Sequence, residues 1–131
     1  MEYLGGMDPA NFLGLRTAVY AAPQLAEARA WYVEALGIEP YFDKPFYVGF
    51  NVEGYELGLD PDRAVATGDG GTACYWGVDD ARAAYARLIE LGATAASEPQ
   101  EVGGGIIVAS VRDPFGNLLV VIQNPNFPNL D

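Results

Sequence analysis

The chain contains no histidine and a single cysteine. The first absence removes the commonest transition-metal ligand and the usual general base near neutral pH. It also removes the Ser-His-Asp and Cys-His nucleophile pairs. The second excludes an internal disulfide, and a lone Cys74 suits a reducing cytoplasm. Basic residues are scarce as well: seven Lys and Arg stand against eighteen Asp and Glu, for a net charge of −11. Such a surface repels phosphate backbones, so nucleic acid is not an expected partner, whereas a cationic ligand is attracted. No run approaches the ~20 apolar residues of a membrane span. The N-terminus has neither the basic start nor the apolar stretch of a secretory signal. The expectation is a cytoplasmic protein that works on neither membranes nor nucleic acid.

What is present is ample for folding. Half of the 131 residues are hydrophobic and 12% are aromatic, enough for one domain with a proper core. Residues 1–11 carry no period and read as a leader, and residues 12–126 as the domain. Leu13–Ala22 has the β-branched and aromatic content of a strand. In "PQLAEARAWYVEALG" Leu25, Ala28, Tyr32, Ala35 and Leu36 share one helical face, and Gly37 sits where a left-handed cap belongs. Strands at Glu39–Phe42, Phe46–Val52 and Tyr55–Leu59 follow, the last two joined by a tight Glu53-Gly54 turn.

The layout then starts again. "GTACYWGV" reads as a strand and "DDARAAYARLIELG" as a helix, with Asp79 as N-cap and Ala81, Ala84, Tyr85, Leu88 and Leu91 inward. A short strand at Ala93–Ala96, one at Ile106–Arg112 and one at Asn117–Gln123 complete it. "EVGGGI" lacks the lysine and following helix of a phosphate loop and reads as a flexible loop. The loop "PDRAVATGDGG" separates the halves. Leu36-Gly37 and Leu91-Gly92 lie 55 residues apart, each closing the helix of one unit. The fold class is therefore α+β: two tandem βαβββ modules, about residues 12–62 and 70–125. One module alone buries too little surface to be comfortable. Two pairing edge to edge form a curved mixed sheet around a cleft, with the helices on the convex side.

With that layout the chain resembles the vicinal-oxygen-chelate superfamily of glyoxalases, bleomycin-resistance proteins, fosfomycin-resistance enzymes and extradiol dioxygenases. The resemblance rests on "LRTAVYAAPQLAEARAWYVEALGIEPYF" and on "YWGVDDARAAYARLIELGA" followed by "VRDPFGNLLVVIQNP". It implies four strand positions at which metal-using members place a ligand, here Thr17, Glu56, Ala73 and Val120. One carboxylate and one hydroxyl make a poor site for a divalent ion, so no metal and no cofactor are expected. Arg16, Ala18, Cys74, Leu119 and Val121 carry the opposite parity and are expected to face the helices or, for Arg16, a surface ion pair.

If those four positions mark the inward parity, Thr17, Val19, Glu56, Gly58, Ala73, Tyr75, Val120 and Ile122 face the cleft. The third strand adds Phe46, Val48 and Phe50 in one register, or Tyr47, Gly49 and Asn51 in the other. Phe50 is carried as a candidate ligand contact from the first. Tyr41, Phe42, Tyr55 and Phe115 are placed around the mouth. Such a concavity suits a small organic ligand. Glu56, among apolar neighbours, raises its pKa unless a donor supports it. It is either a solvated strand-end carboxylate or the group that meets a cationic or hydroxylated ligand. The functional expectation is metal-free binding of an aromatic or cationic small molecule. The alternative is a glyoxalase- or dioxygenase-like enzyme using Glu56 as catalytic base. The resemblance also implies a homodimer.

Overall fold

The computed structural model describes residues 10, 13–65 and 73–127. The leader before residue 13 (residue 10 apart), the centre of the loop between the halves, and Gly71 and Thr72 of the expected fifth strand lie outside them. Within them the order is β1 (Thr17–Ala21), α1 (Leu25–Leu36), β2 (Phe42–Lys44), β3 (Tyr47–Val52) and β4 (Tyr55–Asp60). The second unit repeats it with β5 (Tyr75–Gly77), α2 (Ala81–Glu90), β6 (Thr94–Gly103), β7 (Ile106–Arg112) and β8 (Leu118–Gln123). No helix here is long and apolar enough to cross a membrane.

Each unit folds by the same local logic. α1 ends at Gly37, whose left-handed φ of 72° lets its N–H return to the Val33 carbonyl. The Glu53-Gly54 turn takes positive φ at both residues, 52° and 91°, the geometry that matches the twist of β3 and β4. Leu57 and Leu59 of β4 and Val48 and Phe50 of β3 bury against α1, where Ala28 and Tyr32 meet them.

Several boundaries move. β1 begins at Thr17 rather than Leu13, because its partner β4 begins just after the Gly54 turn and Thr17 already pairs with Glu56. The second strand slides to Phe42–Lys44, past Pro40, which has no N–H for a ladder. The N-cap of α2 is Asp80, not Asp79: Asp80 is extended, and its side chain accepts from the Ala83 N–H at 3.0 Å. β6 is ten residues long, with register shifts that leave a bulged, charged, proline-bearing edge. It absorbs Glu101–Gly103 of "EVGGGI", and only the glycine turn remains loop.

The two units do not merge into one hydrogen-bonded sheet. They form two four-stranded sheets, β1-β4-β3-β2 and β5-β8-β7-β6. Side chains join them instead. Asn117 grips the backbone of Ala21 from both sides, donating to its carbonyl at 2.7 Å and accepting from its N–H at 3.1 Å. Trp31 donates to the Leu91 carbonyl and Trp76 to the Tyr20 hydroxyl, each at 2.8 Å. One hydrophobic core runs through both units, with Ala18, Tyr32 and Leu57 of the first and Leu88, Val111 and Val121 of the second in the same cluster.

Candidate functional site

Residue parity in the first sheet decides what its concave face presents. Val48 pairs with Leu59 and Phe50 with Leu57, all facing α1, which leaves Tyr47, Gly49 and Asn51 on the other side with Thr17, Glu56 and Gly58. Phe50 is therefore not a cleft residue. It is fully buried against Tyr32, with ring centroids 6.4 Å apart.

At the centre of this face Glu56 is caged by hydroxyls. Tyr47 donates to its Oε1 at 2.7 Å, Tyr41 donates to its Oε2, and Thr17 lies opposite it in the β1–β4 ladder. Two glycines make the cage possible. Gly49 and Gly58 lie directly opposite each other in the β3–β4 ladder. A Cβ on Gly58 would stand 1.8 Å from the Tyr47 hydroxyl oxygen, and one on Gly49 would stand 2.6 Å from Glu56 Oε2. With both positions bare, the Tyr47 ring lies flat across the sheet and reaches the carboxylate. Tyr41 is brought in by its own backbone, whose N–H donates to the Gly49 carbonyl at 3.0 Å.

The electrostatics follow from this geometry. Desolvation pushes the Glu56 carboxyl up, but the hydroxyls of Tyr41, Tyr47 and Thr17 beside it outweigh this and hold the group below the usual carboxylate range. The tyrosines pay the reciprocal shift: burial and the bond to Glu56 raise Tyr47, and the bond to Glu56 raises Tyr41. Glu56 is thus an ionised acceptor rather than an elevated, proton-seeking base.

Beside the cage lies a hollow of about 270 Å³ lined by Arg16, Thr17, Tyr41, Asn51, Gly54, Tyr55 and Glu56. Arg16 was expected on the opposite face. Alternation does not reach it, since it precedes β1 and its carbonyl accepts from the Glu56 N–H at 2.8 Å. Among the described residues it has no carboxylate partner. Tyr41 and Tyr55 stand at the rim, 64% and 47% exposed. The mouth is therefore polar, where an apolar cleft was expected.

The remaining candidates are not brought to this hollow. Val19 lies on the same face, opposite Gly58. Ala73, Tyr75, Val120 and Ile122 belong to the second sheet, with Tyr75 opposite Val120 and Ile122 opposite Gly77. Phe42 stacks edge-on with Phe46 and Tyr47, and Phe115 rests on the core. Tyr47 and Asn51 stood in the sequence only as one of two registers. The signal that selects them is the pair of strand glycines.

The family model described as the Glyoxalase/Bleomycin resistance protein/Dioxygenase superfamily matches residues 14–121. The chain belongs to this superfamily. Its fold is similar to a glyoxalase-related enzyme from Fulvimarina pelagi, with a TM-score of 0.72 and 20% identity over 89% of this chain and 92% of that one. It is similar also to a lactoylglutathione lyase from Agrobacterium tumefaciens, with a TM-score of 0.69 and 18% identity over 90% and 98%. TioX from Micromonospora sp. ML1 gives a TM-score of 0.66 and 18% identity over 85% and 98%. At such identities the likeness is one of fold. Among curated proteins none matches the chain.

The internal repeat of this superfamily domain tests the residues against a metal. Thr17 and Ala73 each stand eight residues before their helix, at Leu25 and Ala81. Two residues on, Val19 pairs with Gly58 and Tyr75 pairs with Val120. The counterpart of Val120 is therefore Gly58, not Glu56, and Gly54 and Gly116 stand four residues before them in agreement. The four repeat-related positions hold one hydroxyl, a bare backbone and two hydrocarbons. Glu56 lies one pleat nearer the hairpin, its oxygens engaged by tyrosines. No group of three His, Cys, Asp or Glu side chains gathers among the described residues. This donor set does not fit a divalent ion.

Proposed function

We propose that the chain is a metal-independent small-molecule-binding protein of the glyoxalase/bleomycin-resistance type, with its ligand seated in the hollow at Glu56. The observation that carries this reading is the caged carboxylate. A carboxylate offers about four lone-pair positions, and the Tyr41 and Tyr47 hydroxyls take one on each oxygen. The remaining positions are open to a cationic or hydrogen-bond-donating group of a ligand, and the Tyr41 and Tyr55 rings supply aromatic walls. The hollow is smaller than the ~300–1,000 Å³ of drug-sized sites, which favours a metabolite over a large antibiotic. Catalysis with Glu56 as base is the weaker reading, since the hydroxyls lower its basicity.

A homodimer is part of the proposal. Tyr75, Leu118 and Phe46 are exposed large side chains on or beside strands, the kind of surface a second copy would cover. Size-exclusion chromatography with light scattering tests it, a monomer at high concentration being the contrary result.

The binding reading is tested by a thermal-shift screen of metabolites and cationic aromatic compounds on the native protein and Glu56→Gln. Ligand well above its Kd stabilises by ~2–4 kcal/mol, a readable shift. The expected hits stabilise the native chain and lose most of the effect in the variant. Hits that stabilise both equally contradict the role of Glu56.

A further inference from the structure

We infer that the hollow is built for a small zwitterion of the α-amino acid class, its carboxylate on Arg16 and Asn51 and its ammonium on Glu56. This rests on the reading of the Glu56 hollow as a ligand site and names what enters it.

Opposite charges that share one small concavity normally close on each other. Here they do not. Arg16 and Glu56 line the same hollow of about 270 Å³, yet no ion pair joins them, and Glu56 is satisfied by Tyr41 and Tyr47 instead. The only polar contact of the Arg16 guanidinium among the described residues is one long bond, 3.4 Å, from Nη1 to the Leu15 carbonyl. Most of its five donors are uncommitted, in the fork geometry that receives a carboxylate. Asn51 adds to that end. Its Oδ1 accepts from the Gly54 N–H at 2.8 Å, which fixes the side chain and leaves its amide donors unused. The donors that anchor a carboxylate and the acceptor that anchors an ammonium are thus both present and held apart.

The charge of the whole chain bears on the choice. At −11 the protein repels simple anions, so one arginine on this surface is a weak site for an acid alone. A cation alone would meet Glu56 but also the unpaired guanidinium. A ligand carrying both charges satisfies both groups, and the Tyr41 and Tyr55 side chains that line the hollow offer aromatic surface to its side chain.

The test is calorimetric titration of the full chain with L-phenylalanine, L-leucine and L-serine. Each is compared with the amine lacking its carboxylate and the acid lacking its amine. The expected result is binding of at least one amino acid, with at least tenfold weaker binding of its amine and of its acid. Arg16→Gln, at an exposed position, should lower affinity for the amino acid at least tenfold without weakening the amine, which is relieved of the guanidinium charge; Glu56→Gln should lower both. An amine that binds as well as its amino acid, in a Glu56-dependent and Arg16-independent way, overturns the zwitterion while the ligand site stands. No binding by any of the three families at millimolar concentration overturns the zwitterion. If the broader screen also yields no Glu56-dependent ligand, the site falls with it.

Discussion

The Tyr32 hydroxyl, on the helix of the first unit, donates to Asp113 Oδ2, in the turn of the second, at 2.6 Å. Asp113 is 3% exposed and is the only buried charged residue among those described. Its other bonds come from the N–H groups of Phe115 and Asn117 and from the Asn117 amide, at 2.8–3.0 Å. That same Asn117 clamps Ala21. The Asp-Pro-Phe-Gly-Asn turn is therefore the lock between the units.

Removing either half of the lock should destabilise the whole domain. Tyr32→Phe and Asn117→Ala are each expected to cost about 1–3 kcal/mol, the range for leaving buried polar partners unpaired. Because both residues bond Asp113, the double variant should depart from additivity. Urea unfolding of the four proteins measures this, and strictly additive costs would contradict a shared network.

The Gly49–Gly58 floor makes a second prediction. Gly58→Ala puts a methyl group where the Tyr47 hydroxyl lies, so Tyr47 must leave Glu56. The expected cost is roughly 1–3 kcal/mol, as for other overpacked sites. Adding Tyr47→Ala should recover much of it. Denaturation midpoints decide, and a Tyr47→Ala change that fails to relieve Gly58→Ala would contradict the contact.

Alkaline pH should weaken the fold. Burial raises Tyr20 to about 12, and burial together with Asp113 raises Tyr32. A phenol raised in the folded state favours the native form while protonated. This contribution is whole below the ordinary tyrosine value of ~10 and is lost as pH rises through the folded values. Thermal unfolding midpoints should therefore fall above pH ~10, alongside delayed tyrosinate absorbance. A flat alkaline limb would contradict these shifts.

On the acid side Glu56 has the opposite sign. Its folded value lies below the ordinary one, so its contribution is whole above the usual glutamate range and is lost as pH falls through the depressed value. Glu56→Gln should flatten that part of the pH–stability curve. Equal acid limbs in the two proteins would contradict the cage.

Much of this architecture was legible in residue order. Gly37 as a cap, Glu53-Gly54 as a hairpin and the shared face of Leu25, Ala28 and Tyr32 each depend on neighbours within a few residues, and all are found. The register of β3 was left open, because "FYVGFNV" puts aromatic rings on both parities, Phe46 and Phe50 on one and Tyr47 on the other. Only pairing Val48 with Leu59 reveals that Phe50 faces the core and Tyr47 the cleft. The cage draws its groups from separate segments, and Arg16 lies just before β1, where strand alternation does not reach. How the two units meet was not legible for a related reason. A repeat announces two similar units, but whether they join by ladder or by side chains depends on Asn117, Trp31 and Trp76.

The most direct measurement is metal content after soaking with nickel, zinc, manganese or iron and removal of loose ions, for the native chain beside Glu56→Gln. With hydroxyl, glycine and hydrocarbon at the repeat-related positions, the expected result is no stoichiometric metal in either protein. Close to one ion per chain in the native protein, lost in the variant, would contradict the account.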